Sequence, residues 1–213
     1  EVRDRLDDIL EVADGVMVAR GDLAVEVPFE QVPTLQERIL RRAAARGKWA
    51  IVATQMLGSM VLNQRPTRAE VSDVANAVME GADAIMLSEE TAAGNHPLEA
   101  VQAMSRIAYE AEQRIGHTEG VLFETDIQSF AFGAARRLNA KAIIAMAGSG
   151  RTALAISKWR PPVPVLALSV KPKTLRRLNV LRGVEPVRLA EKMNFEEMIA
   201  VADRNLTDND LAE

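Results

Sequence analysis

The sequence predicts an α/β chain holding two parallel βα arrays of different architecture. Three apolar runs recur at nearly equal spacing, Val16-Met17-Val18-Ala19, Ala50-Ile51-Val52-Ala53 and Ala84-Ile85-Met86-Leu87, with room between them for a helix and two turns. Each run leads into a short polar residue: Asp22 after Arg20-Gly21, then Thr54, then Ser88. Polar residues at the carboxyl ends of successive parallel strands mark a catalytic rim, and three in phase point to one site assembled from consecutive strands. Beyond residue 126 short Val/Ile/Ala runs alternate with helices again, at a tighter period of about 20 residues, which implies a second parallel sheet covered on both faces.

Leu6, Ile9 and Leu10 make residues 4–12 the end of an amphipathic helix feeding the first strand. Val32, Leu35, Ile39 and Leu40 fall at helical spacing between Glu30 and Gly47, and Gly47 suits the position just past a helix end. Strand 49–53 follows. In Arg65-Pro66-Thr67-Arg68-Ala69-Glu70, Pro66 sets a turn, Thr67 can cap the next helix, and Glu70 lies at capping-box distance. That helix runs through Val71, Val74, Ala75 and Val78 and stops at Gly81. Strand 84–87 comes next, then a loop with Gly94 and Pro97, then a long helix over 98–114. The pattern loosens from Gly116 to Asp126, where a domain boundary is expected. The second series reads helix 127–139, strand 142–146, helix 152–159, strand 163–169, helix 173–180, strand 185–189 and helix 194–204.

The 213 residues are 48% hydrophobic, ample for a core in one large domain or two small ones. A net charge of -4 and 4% aromatic residues leave neither a basic footprint nor a base-stacking surface, which argues against a nucleic-acid partner. The absence of cysteine excludes disulfides, zinc thiolates and thiol nucleophiles, and fits a reducing, cytoplasmic compartment. No apolar run reaches membrane-spanning length, and Glu1 to Asp8 lacks the apolar core of a signal peptide, so no membrane partner is expected. A start without Met, and an end at Asp210-Leu211-Ala212-Glu213 without a closing element, read as a piece of something longer.

Each candidate has a structural reading beside its chemical one. Asp22 either binds Mg²⁺ or caps a helix near Pro28-Phe29-Glu30, with Gly21 permitting a tight turn. Free N–H groups at that helix start can take an anionic substrate. Thr54 either hydrogen-bonds a substrate oxygen or satisfies backbone at its strand end. Ser88-Glu89-Glu90-Thr91 offers hydroxyls and carboxylates on one loop, of the kind that is usually solvated. Phase with Asp22 raises all three.

Ala147-Gly148-Ser149-Gly150-Arg151-Thr152-Ala153 follows the strand–Gly-x-Gly-x-x-Ala–helix pattern of dinucleotide sites. A nicotinamide site also needs an acidic residue about 20 residues on to hold the ribose. That position falls in Leu166-Ala167-Leu168-Ser169-Val170-Lys171, which has none. What remains is a phosphate nest: Ser149 and Thr152 hydroxyls, the backbone at Gly150, and Arg151 as the charge, with Lys171 and Lys173 nearby. A plain βα turn is the alternative. His96 and His117 are isolated and read as surface residues, the Met residues as core filling, and Arg41-Arg42 and Arg176-Arg177 as solvated helix faces.

Several of these segments, in order, resemble pyruvate kinase: Asp14 to Leu23, Ala53-Thr54-Gln55-Met56-Leu57, Arg65 to Glu70, Ser72-Asp73-Val74-Ala75-Asn76-Ala77, Ile85 to Thr91 and Ser149-Gly150-Arg151-Thr152. The resemblance implies that residues 1–118 are a partial (β/α)8 TIM barrel, its last three βα units. Residues 119–213 would be a three-layer α/β C-terminal domain with a parallel sheet, truncated before its closing strands. It implies Mg²⁺ (or Mn²⁺) on Asp22, and a substrate carboxylate on the Gly21 and Asp22 backbone. Thr54 would lie beside the enolate, Ser88 in the hydroxyl and water network there, and Arg20 on the same rim.

The family chemistry is phosphoryl transfer from phosphoenolpyruvate to ADP in glycolysis, by a homotetrameric enzyme. Arg68 resembles an arginine near the contact between barrels. Ser149, Gly150, Arg151 and Thr152 match the loop that holds an effector's phosphate, sugar phosphate or nucleotide, while Gly148 stands where some regulated members carry a basic residue. The catalytic lysine, a glutamate metal ligand, the substrate-phosphate arginine and the K⁺ ligands would lie upstream of Glu1, so this chain alone is expected to be inactive. Two rivals are a non-catalytic sugar-phosphate-sensing module and another Mg²⁺-dependent barrel acting on phosphoenolpyruvate or pyruvate, such as an aldolase-type lyase.

Overall fold

A computed structural model describes residues 2–114 and 127–208; the expectations for His117, for the loosened segment 116–126 and for 210–213 lie outside them. The chain divides into two compact units, Glu1–Gly116 and His117–Glu213. In the first, α1 (Val2–Val12), β1 (Gly15–Ala19), α2 (Arg20–Glu26) and a 3-10 turn (Phe29–Gln31) precede α3 (Val32–Ala45) and β2 (Trp49–Ala53). A second 3-10 turn (Gly58–Val61) leads to α4 (Arg68–Glu80), β3 (Ala84–Met86), α5 (Glu89–Ala92) and α6 (Pro97–Arg114). The strands are parallel in the order β1-β2-β3. Ala19 lies beside Ala53, and Ala53 beside Met86, so all three strands end level.

The core is what the periodicity selects. Leu10, Leu35, Ile39 and Leu40 of the helices close on Val18, Ala50 and Val52 of the strands, with Met56, Leu57 and Met60 filling in below Val74 and Ala77. Met56, Met60 and Met104 are buried as expected, but Met17, Met79 and Met146 are exposed. Met17 is exposed because β1 is an outer strand of the sheet, which has three strands among the described residues. Arg41 and Arg42 are not merely solvated: Arg41 pairs with Glu37, and Arg42 and Arg46 both reach Asp7 on α1. Such exposed pairs add little stability.

The helix ends follow their sequence signals. At Gly47, with φ 64°, the Lys48 and Gly47 N–H groups close onto Ala43 and Ala44 carbonyls, satisfying groups that a helix end leaves free. Thr67 and Glu70 form the reciprocal capping box, and Glu70 also accepts from the Ser59 N–H and hydroxyl at 2.6 Å each. Burial works against the Glu70 charge, but hydrogen bonds from Ser59 and Thr67 outweigh it and hold the carboxyl below the usual glutamate value. A lowered folded value contributes stability above the unfolded value, and that stability is lost as pH falls through the folded one. Glu70→Gln is therefore expected to cost roughly 1 kcal/mol at neutral pH. Denaturant melts of wild type and variant should converge in acid, and a gap that persists there would remove the charge from the account.

The second unit holds α7 (Ile127–Arg137), β4 (Ile143–Met146), α8 (Arg151–Lys158), β5 (Val165–Ser169), α9 (Pro172–Leu178), β6 (Val184–Arg188) and α10 (Phe195–Asp208). Its strands are parallel in the order β4-β5-β6. Every residue of β5 is buried, as befits a central strand covered on both faces. Leu166 and Leu168 pack with Val187, Leu189, Ala202 and Leu206. α7 meets α8 through Phe132 and Trp159, whose ring centres are 6.0 Å apart.

The elements match the sequence reading with two additions. The stretch after β1 is a full helix rather than a turn, and a single helical turn, α5, follows β3.

Candidate functional site

The level strand ends put three sequence-predicted groups on one edge of the first sheet. Ala19 closes β1 and also caps α2 without a side-chain hydrogen bond. Gly21 is thus the second residue of a helix, not a turn, and Asp22 lies exposed in its first turn. Asp22 borders a cleft of about 300 Å³ walled by Leu6, Ile9, Met17 and Leu23. N–H groups of a first turn have no partner within the helix, and the Gly21 N–H donates instead to Thr54 Oγ1 at 2.8 Å.

Thr54 and Gln55, directly after β2, have φ of 69° and 53°. Non-glycine residues avoid that region, β-branched ones above all, and each costs about 1–3 kcal/mol unless its surroundings fix it. Arg20 supplies that fixing. Its Nε donates to the Thr54 carbonyl at 3.2 Å, and its Nη2 to the Thr54 and Gln55 carbonyls at 2.9 Å each. Its Nη1 meets both oxygens of Asp73 on α4, at 2.7 and 2.6 Å. The Arg20 residue is only 8% exposed. It stands at the rim, but its guanidinium points into the protein and ties two strand ends to a helix.

Ser88 is half-buried where β3 gives way to α5. Its N–H donates to Glu90 Oε2 at 2.9 Å, while Glu90 Oε1 accepts the Leu57 N–H at 3.0 Å. Of the two adjacent carboxylates, Glu89 is exposed and Glu90 is 2% exposed. Glu90 therefore joins the turn after β2 to the turn after β3, and only part of the Ser88–Thr91 segment is the solvated loop its composition suggests.

Asp73 and Glu90 had no role in the sequence reading. Asp73 carried a signal: with Ala77 and Glu80 it follows the buried stripe of α4 at helical spacing, an acidic residue in phase with apolar ones. Glu90 carried none. Among the described residues no three His, Asp or Glu side chains cluster to hold a metal. Asp22 and Glu26 border the same cleft, and an ion such as Mg²⁺ takes only one or two carboxylates and fills its remaining positions with water and substrate. His96 is half-buried, its carbonyl taking the Ala100 N–H at the start of α6.

The second unit presents Ala147–Gly150 as the turn from β4 into α8. Ser149, Arg151 and Thr152 are exposed there. Gly150 has φ 88°, and a Cβ on it would lie 3.2 Å from Leu178 Cδ2, so both backbone and packing call for glycine. Gly148 is exposed, and a Cβ there would meet nothing within 4 Å. Its carbonyl accepts Thr174 Oγ1 at 3.2 Å, pinning the turn to α9. Lys171 and Lys173 are exposed beside the start of α9.

Two family models match in order: the pyruvate kinase barrel domain over residues 1–101 and the pyruvate kinase alpha/beta domain over residues 125–213. The chain belongs to the pyruvate kinase family. It is 45% identical to the pyruvate kinase of Thermotoga maritima over 99% of this chain and 46% of that protein. Identity to the pyruvate kinase of Clostridium acetobutylicum is 44%, over 93% of this chain and 44% of the relative. A crystal structure of a pyruvate kinase from Cryptosporidium parvum superposes with a TM-score of 0.92 at 39% identity, covering 98% of this chain and 44% of that one. The chain thus spans less than half the length of these pyruvate kinases. Family membership gives the first unit its place in a TIM-barrel type of fold. No helix among the described residues is long and apolar enough to cross a membrane.

Proposed function

We propose that these residues serve a pyruvate kinase, which moves the phosphoryl group of phosphoenolpyruvate to ADP and protonates the resulting enolate to pyruvate. The observation that carries this reading is the level edge of β1, β2 and β3, where Thr54 Oγ1 accepts the Gly21 N–H beside Asp22. A carboxylate, the first turn of a helix and hydroxyls follow consecutive strands there, the kind of groups that phosphoryl transfer by positioning and charge neutralisation uses. Residues 1–118 then form the barrel part and 119–213 the effector domain.

Asp22 would hold Mg²⁺ or Mn²⁺ through a carboxylate oxygen, and the ion, when bound, would supply charge neutralisation for the transferred group. The first turn of α2, at Gly21 and Asp22, receives the substrate carboxylate. Thr54 lies against the enolate face that gains the proton, and Ser88 shapes the hydroxyl and water path. Neither hydroxyl is a general base by itself. Arg20 acts as a positioning residue, since its donors are engaged by backbone and Asp73. The lysine, second metal carboxylate and K⁺ ligands belong to parts of the protein outside these residues. We place the enzyme in the cytoplasm as a homotetramer, with exposed Arg68 near the contact between barrels.

Ser149, Gly150, Arg151 and Thr152 are the effector site: exposed hydroxyls, the start of α8 and one guanidinium. The test is pyruvate formation by the full-length protein from phosphoenolpyruvate, ADP and Mg²⁺, titrated with sugar phosphates and nucleotide monophosphates. Arg151→Ala is expected to shift activation to about tenfold higher effector, the loss of one charge-assisted contact, while the unactivated rate stays put. No pyruvate would end the catalytic reading; pyruvate without any response to effectors would reduce the loop to a turn.

A further inference from the structure

The unusual backbone at Thr54 and Gln55 is held by the Arg20 side chain, which is ion-paired with Asp73. Arg20 binds both carbonyls of the left-handed pair, and Asp73 binds Arg20 through both carboxylate oxygens. The planar guanidinium has donors on three nitrogens in fixed directions, so its orientation toward the carbonyls is set by where Asp73 holds Nη1. Thr54 in turn directs its hydroxyl at the Gly21 N–H, one residue from Asp22. A line of contacts thus runs from α4 to the rim without Asp73 reaching the rim itself.

We propose that Asp73 is a positioning residue for catalysis: it orients Arg20, which holds the strained Thr54–Gln55 backbone so that the Thr54 hydroxyl stays aimed at the start of α2. This rests on the reading of Thr54 as part of the catalytic rim. The Asp73 side chain is 40% exposed and that of Arg20 10% exposed. Removing the charge on Asp73 therefore opens no cavity, and Arg20 keeps its carbonyl partners. The consequence is local looseness at Thr54 rather than unfolding. Misplacement of a group by about 1 Å can cost around a hundredfold in rate.

The experiment is a double-mutant cycle in the full-length protein, pairing Asp73→Asn with Thr54→Ala and reading kcat and KM separately. Asp73→Asn is expected to lower kcat about 10- to 100-fold, with KM for ADP unchanged. Asp73→Glu, which keeps the carboxylate, should recover a large part of the loss. In the Thr54→Ala background Asp73→Asn should cost less than about threefold, because the group it positions is gone. Multiplying effects, or an Asp73→Asn enzyme with normal kcat, overturn the positioning role while leaving the rim intact. A Thr54→Ala enzyme with normal turnover overturns the reading of the rim, and this assignment with it. Circular dichroism checks folding, and if Asp73→Asn does not fold the same cycle is run with Arg20→Lys, which keeps the cation but loses the fork.

Discussion

Asp22→Asn in the full-length protein is expected to cut Mg²⁺-dependent turnover by about a hundredfold or more, with the fold unchanged. Replacing a carboxylate by an amide takes a charged oxygen from a hard dication that binds through few protein ligands. Loss of outer contacts to a metal ligand alone costs about 10- to 100-fold, so loss of the ligand charge lies at or beyond that range. The fold survives because Asp22 is exposed in the first turn of α2. A carboxylate there also favours the helix dipole, but by less than about 1 kcal/mol. Thermal melts should therefore move little while the Mg²⁺ titration of the rate moves far to the right. A variant with ordinary rate and Mg²⁺ dependence would remove Asp22 from the metal site.

The chain of 213 residues, expressed alone, is expected to form no pyruvate above a matched blank. Its first sheet has three strands among the described residues, and in a parallel sheet that leaves two rows of unpaired backbone groups prone to association. The rim is short of charge as well. Residues 1–116 contain one lysine, Lys48, which precedes β2 and donates to the Ala13 carbonyl at 2.7 Å. It therefore lies at the strand starts, away from the rim. No three metal-ligating side chains cluster among the described residues, and so the chain is short of the charge that steadies a transferring phosphoryl group. Turnover from phosphoenolpyruvate, ADP and Mg²⁺, in a preparation free of host enzyme, would show that these residues suffice.

Much of the fold was legible because it depends on local periodicity. The apolar runs, the Thr67–Glu70 box and the Gly47 stop each state their structure within a few residues. The two missed helices show where that ends. Gly21 in Arg20-Gly21-Asp22 reads locally as a turn, since glycine weakens helices, but the level end of β1 and packing of the segment prevail. At the site the sequence gives residue types and phase, which is why Asp22, Thr54 and Ser88 could be named. It does not give partners. Arg20 and Asp73 are 53 residues apart, and nothing local says that one will face the other. The same holds for Glu90, whose burial is decided by N–H groups at Leu57 and Ser88 that need its carboxylate.

The turn between β4 and α8 is closed to change at one glycine and open at another. Gly150 is fixed by its backbone and by Leu178, while the space around Gly148 is empty. One codon change at 148 can thus place a cation beside Arg151 without remaking the scaffold. On the proposed reading of this turn as a phosphate site, its charge is adjustable at position 148 while Gly150 keeps its shape, so affinity can be tuned separately from architecture.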